Sequence, residues 1–162
     1  MGSRPLAIQT LLAEISRSHF PNPPATPAQL EDFEHRVGWR LDADLRAFYL
    51  HCDGAALFKT PNTPFHLCSL AEVVRARTVL GMADTDEWGP ASWFILCNLY
   101  DTNFVLIDVS HQESDRYILR DGYREGFPSP EACPRIAGSF SEFLEGALQS
   151  NGRWFWLDKL QQ

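Results

Sequence analysis

The chain of 162 residues contains no apolar run approaching the length of a membrane-spanning helix, so a transmembrane segment is excluded on hydropathy. Its opening, Met1-Gly2-Ser3-Arg4, leads into an amphipathic stretch and lacks the unbroken apolar core of a secretory signal. There is no CxxC pair: Cys52, Cys68, Cys97 and Cys133 stand 16, 29 and 36 residues apart. That spacing argues against a zinc knuckle and against a disulfide framework, and reduced thiols in a cytoplasmic protein are expected. No GxSxG, P-loop, HExxH or GxGxxG occurs, so neither a nucleophile elbow nor a nucleotide cradle is written in the sequence and no cofactor is expected. Internal repeats and low-complexity blocks are absent too.

The sharpest deficit is electrostatic. Between Arg77 and Arg116 lie 38 residues without a lysine or arginine, and they hold seven acids: Asp84, Asp86, Glu87, Asp101, Asp108, Glu113 and Asp115. The rest of the chain balances, so the whole net charge of −7 belongs to this stretch. Nucleic acid is a poor partner for such a chain, because phosphate binding needs a basic stripe. A basic protein surface suits it better, although acids on a soluble surface also serve solubility alone.

What is present is ordinary globular composition, 44% hydrophobic and 22% charged. A chain of this mass exposes roughly 8,000 Å² when folded and buries about 70% of its extended surface, enough for one substantial core. A single domain over residues 1–162 is expected, with a helix and the Pro-rich linker Pro21-Asn22-Pro23-Pro24 occupying residues 1–24.

Leu11, Leu12 and Ile15 give that first helix its apolar face. Thr26-Pro27-Ala28-Gln29 combines an N-cap threonine, a first-turn proline and glutamine at the third helical position, a capping box. Leu30, Phe33 and Val37 follow, and Gly38 suits the left-handed residue that stops the helix. Asp42 caps a third helix carrying Leu45, Phe48, Tyr49 and Cys52, with Gly54 beyond it. Short strands are predicted at 55–58 and 65–68. A second capping box, Ser69 to Glu72, predicts a helix running to about Leu80. Strands at 93–99 and 104–109 read as a hairpin about Tyr100-Asp101-Thr102-Asn103, and a polar turn, His111 to Asp115, leads to a strand at 116–120. Trp93 to Leu99 is apolar on both faces, the mark of a central or doubly covered strand. Residues 122–138 read as loop, and Ser139 with Glu142 opens a final helix. The fold class is α+β: a central, mostly antiparallel sheet flanked by N-terminal helices and a C-terminal helix.

Catalytic and metal constellations are unpersuasive. Neighbouring side chains on a helix diverge by about 100°, so His51, Cys52 and Asp53 do not face one another, and Cys52 reads as core. Asp108, Ser110 and His111 are no better placed. Asp84, Asp86 and Glu87 lack the spacing and glycine of a calcium loop, so no metal is expected. Trp88, beside Gly89-Pro90, is the better candidate for an exposed aromatic anchor, whereas Trp93, Trp154 and Trp156 read as packing residues.

Three blocks carry a family likeness. They are Thr26-Pro27-Ala28-Gln29-Leu30-Glu31-Asp32-Phe33-Glu34 through Asp44-Leu45-Arg46-Ala47-Phe48-Tyr49 to Cys52-Asp53-Gly54, the strand pair Trp93 to Val109, and Ile136-Ala137-Gly138-Ser139-Phe140-Ser141-Glu142-Phe143-Leu144. Over about residues 26–148 the chain resembles the SUKH superfamily, the Smi/Knr-like immunity-protein family. Asp42 stands where the family commonly has proline; it caps the helix instead of pre-setting φ. The acidic loop Asp84 to Trp88 matches no family motif. The resemblance implies a non-enzymatic protein-binding domain; bacterial members are commonly immunity proteins that bind and block a cognate toxin, often a nuclease, and fungal relatives are interaction modules linked to cell-wall regulation. The expected partner is thus a basic toxin domain. Asp84, Asp86, Glu87, Asp101, Glu113 and Asp115 would form an anionic patch that steers it, and Trp88 would anchor it. A regulatory scaffold without a toxin, or a small-ligand binder or hydrolase with an enclosed cleft between sheet and helices, are the alternatives.

Overall fold

A computed structural model describes residues 7–58, 65–79, 83–99, 103–123 and 125–156. The first helix, α1 (Ile8–Ser18), buries Leu11, Leu12 and Ile15 and leads through the two-residue strand β1 (Phe20–Pro21) to α2 (Pro27–Val37). Both halves of the capping box form, Thr26 Oγ1 accepting from Gln29 N and Gln29 Oε1 from Thr26 N, and Gly38 ends the helix at φ +83°. Asp42 caps α3 (Ala43–His51), its Oδ1 accepting the Leu45 N–H at 2.9 Å. Its other oxygen accepts the Tyr117 N–H at 3.0 Å, so one buried carboxylate ties the helix start to the sheet.

The sheet is an antiparallel meander of seven strands in chain order, in which β1 is followed by β2 (Ala55–Leu57), β3 (Phe65–Leu67), β4 (Trp93–Asn98), β5 (Phe104–Glu113), β6 (Arg116–Gly122) and β7 (Arg135–Ala137). As its doubly apolar pattern requires, β4 is central and covered on both faces. Phe94 meets Trp39 at 5.3 Å on one side, and Trp93 meets Phe127 at 6.1 Å on the other. The C-terminal helix α5 (Phe140–Gln149), capped by Ser139 Oγ on Glu142 N, packs against α1, α3, β6 and β7. Phe143 is fully buried among Phe65, Phe155 and Trp156, a contribution of about 2–3 kcal/mol from burial alone. Trp156 is fully buried against Phe65 and Phe143, and Trp154 stacks on it, so the aromatic tail packs on the body as expected.

Three local expectations need correction. The helix from Ser69 to about Leu80 is instead a 3₁₀ turn (Leu70–Glu72) and the single turn α4 (Ala76–Val79), with an extended break between them. There Val74 O accepts the Ile95 N–H at 2.9 Å and Arg75 bridges to Phe94, so the β-branched pair Val73-Val74 is recruited beside β4. The turn expected over His111–Asp115 shrinks to Ser114-Asp115, because β5 runs on to Glu113. The stretch 122–138 is not all loop: β7 forms in it as a three-residue edge strand, too short to show periodicity. The Leu80 end of the predicted helix and the Tyr100-Asp101-Thr102 turn lie outside the described residues.

Candidate functional site

The loop between α4 and β4 carries Asp84, Asp86, Glu87 and Trp88, and two arginines hold it. Arg77, whose side chain is 8% exposed, donates from Nε to Asp84 Oδ1 at 2.7 Å and from Nη1 to Asp86 Oδ1 at 2.7 Å. The same Nη1 donates to Gly89 O at 3.3 Å. Arg75 donates from Nη1 to Asp84 Oδ2 at 3.0 Å and from Nε to Ala91 O at 3.2 Å, its guanidinium lying over the Phe94 ring. Asp84 is therefore straddled by two cations, and the hydrogen bond from Arg77 above all keeps its carboxyl below the usual carboxylate range. Glu87 is exposed and Trp88 half-buried in a 3₁₀ turn, Asp86–Trp88.

The other acids are distributed by the meander. At the β5–β6 hairpin, Glu113 pairs with Arg135 at 2.7 Å, with His111 Nε2 at 3.6 Å from its other oxygen, and Asp115 is exposed in the turn. Val109 N donates to Ser92 O, which places this hairpin tip and the acidic loop at the same end of the β4–β5 pair. Asp101 lies outside the described residues; the described ends of its connection, Leu99 and Asn103, are at the opposite end of that pair. Asp108 is buried beneath the surface, accepting from Arg120 Nε at 2.8 Å and Ser110 Oγ at 2.6 Å. Burial pushes its carboxyl up, but these donors outweigh it and hold it below the ordinary range.

The expected uncompensated anionic patch does not form as such. Of the six described acids in the arginine-free stretch, Asp84, Asp86, Asp108 and Glu113 are in ion pairs, and the cations come from just outside it. Arg75 and Arg77 precede the stretch, while Arg120 and Arg135 return to it through the antiparallel strands. Counting charge along the chain misses this folding back. Around the acidic loop two guanidiniums face three carboxylates, leaving one net negative charge, with Glu87 and Asp115 the acids that no ion pair occupies among the described residues.

A second segment, unmarked in the sequence, borders the acidic loop. A Cβ on Gly89 would come within 2.9 Å of Phe127 Cζ and 3.1 Å of Pro128 Cβ, so the two loops touch. Beneath them Trp93 lies between Phe127 and the Arg120 guanidinium, and Arg120 Nη1 donates to Cys133 O. This loop exposes Glu125, Glu131 and Tyr123, whose hydroxyl donates to Glu125 Oε2 at 2.9 Å. Arg124 lies outside the described residues.

The side chains of His51, Cys52 and Asp53 have separate surroundings. Cys52 is buried and its thiol pushed up to about 12 by burial first and Asp53 second. His51 Nε2 lies 2.6 Å from Ser16 Oγ, and Asp53 Oδ1 accepts the Leu70 N–H. Ser110 bonds Asp108, while His111 neighbours Glu113. Among the described residues no three His, Cys, Asp or Glu side chains converge as metal ligands, and no helix is long and apolar enough to cross a membrane.

The described residues form an antiparallel meander backed by helices, with the acidic loop, the loop that packs on Gly89 and the β5–β6 hairpin tip along one rim. A family model, SMI1 / KNR4 family (SUKH-1), matches residues 24–146, and the chain belongs to that family. Membership is consistent with an immunity or protein-binding module. A search of the curated proteins finds no match.

Proposed function

We propose that the protein is a non-enzymatic immunity protein that binds a cognate bacterial toxin domain through a basic surface and neutralises it in the cytoplasm. The observation that carries this reading is the family match across residues 24–146. The four buried thiols, Cys52, Cys68, Cys97 and Cys133, fit a reducing compartment. The docking face is the rim made by Asp84, Asp86, Glu87 and Trp88 with the hairpin tip Glu113–Asp115; Asp101 belongs to the same proposal by charge alone.

The ion pairs divide the roles. Asp84 and Asp86 shape the loop through Arg77, whereas Glu87 and Asp115 project unpaired charge that raises the encounter rate. Trp88, held half-buried at the end of a fixed turn, supplies contact area at low ordering cost and sets residence time. Such an interface needs about 800 Å² per partner, roughly a tenth of a small protein's surface.

The deciding experiment is co-expression with the product of the adjacent gene, read as pull-down and as growth rescue from its toxicity. Capture with rescue supports the reading; capture without rescue favours a regulatory scaffold; neither outcome leaves immunity without support. In the captured complex, Glu87→Lys with Asp115→Lys lowers the association rate about threefold or more and flattens its salt dependence, while Trp88→Ala raises the dissociation rate. An association rate unmoved by both charge reversals and by salt removes steering from the account.

A further inference from the structure

We propose that the groove between α2 and α3 is a second recognition site, one that takes a polypeptide segment bearing both a carboxylate and a cationic side chain. The groove, of about 610 Å³, is lined by residues other than those of the acidic rim. One wall is α2, where Glu31, Glu34 and His35 share a helical face by their i, i+3, i+4 spacing. The other wall carries Arg40, from the α2–α3 connection, and Arg46, from α3. Trp39 lies between them.

The walls are rigid before anything binds. Glu34 Oε2 accepts the Leu41 N–H at 2.8 Å, and Tyr117 Oη donates to Arg40 O at 2.7 Å, so the connection is pinned to α2 and to the sheet. Trp39 makes edge contacts with Phe33, Phe94 and Tyr117 at 5.4, 5.3 and 5.4 Å. Its indole N–H is shut from solvent and has no acceptor among the described residues.

The charges on the two walls leave each other unneutralised. Of the other described arginines, Arg75, Arg77, Arg116, Arg120 and Arg135 are in ion pairs and Arg36 donates to the Leu70 and Val73 carbonyls, while Arg17 and Arg153, away from the groove, are in none. Arg40 and Arg46 have no ion pair among the described residues, and neither does Glu31 across from them. Opposite charges facing across a fixed gap are bridged when a segment offers a carboxylate to the arginine wall and an ammonium or guanidinium to the glutamate wall. The arginine fork suits the first contact. An open, largely polar groove fits a peptide segment rather than an enclosed small metabolite, and the glutamate wall excludes a polyphosphate chain.

The test is a titration of the ¹⁵N-labelled full chain with a blocked peptide of alternating Glu-Ala-Ala-Lys units, with its Glu→Gln, Lys→Gln counterpart as the uncharged probe. The mixed-charge peptide shifts the Gly38 and Arg40 amides and the Trp39 indole resonance with a Kd in the millimolar range or below, and the uncharged one does not. Arg46→Glu weakens binding about fivefold, and the wall-exchanged variant Glu31→Arg with Arg46→Glu recovers it, because a mixed-charge segment binds in the reverse sense. The substituted positions Glu31 and Arg46 are exposed, and unchanged resonances in the sheet establish that the variants are folded. Equal shifts from both peptides, shifts confined to the acidic rim, or an Arg46→Glu variant that binds like the parent in a folded protein each overturn the proposal.

Discussion

Two glycines with nearly the same backbone show how much a single residue's surroundings matter. Gly38 sits at φ +83° with nothing within 4 Å of where a Cβ would lie, and Gly54 at φ +89° with the Leu67 carbonyl oxygen at 2.7 Å and the Ser69 nitrogen at 2.9 Å. Gly38→Ala pays the left-handed conformation alone, about 1–2 kcal/mol. Gly54→Ala adds a collision with backbone that has no side chain to move aside, and costs about 3 kcal/mol or more. Urea unfolding of the two variants separates them; equal losses would mean that the β3 backbone gives way. Asp108 makes a comparable case in charge. Its carboxyl is held below its unfolded value, so its contribution to stability is present above about pH 4 and is lost as the pH falls toward its folded pKa. Asp108→Asn destabilises by about 2–3 kcal/mol at neutral pH and makes the remaining acid-induced loss shallower.

At the scale of elements, the helices are legible because their signals are local: Thr26 with Gln29, Asp42, and Ser139 with Glu142 each sit within one turn of the backbone they cap. The sheet is less so. The central strand β4 declares itself by apolar residues on both faces, but β1 and β7 have two and three residues, and β7 exists because β6 offers it an edge. The β5–β6 turn is shorter than its polar residues suggest for a related reason. Gln112 pairs with Tyr117 and Glu113 with Arg116, so polar residues that look like turn material extend the ladder, and Ser114 and Asp115 take positive φ of +50° and +62°. A hairpin turn of that geometry favours Asn-Gly, and the double substitution Ser114→Asn, Asp115→Gly raises stability by about 0.5–1 kcal/mol in thermal or chemical unfolding. An unchanged or lower stability would indicate that the Asp115 side chain already serves the turn.

For the whole molecule, the four thiols test the burial pattern together. All are free and buried, those of Cys52 and Cys68 pushed up to about 12 and that of Cys133 to about 11, with burial the first cause in each. A thiol reagent at neutral pH therefore labels none of them in the native protein and all four once it is unfolded, and rapid native labelling of any one locates an opening of the core. Charge is the quantity that sequence order represented least well. The acidic stretch was visible, and the identities of Asp84, Glu87 and Asp115 with it, but Arg75 and Arg77 stand just before its boundary and Arg120 and Arg135 reach it only through strand pairing. Tyr123, Glu125 and Glu131 gave no short-range signal, since their loop reaches the rim by Phe127 and Pro128 packing on Gly89.

The contact between α1 and α5 brings the first and last helices of the described fold together. With a linker long enough to span its ends, and the chain cut instead at the Ser114-Asp115 tip, a circularly permuted protein keeps α1 to α5. Because that cut falls on the proposed docking rim, the permutant would retain its thermal transition and its binding in the helical groove while losing steering at the rim, so the two surfaces could be switched off one at a time.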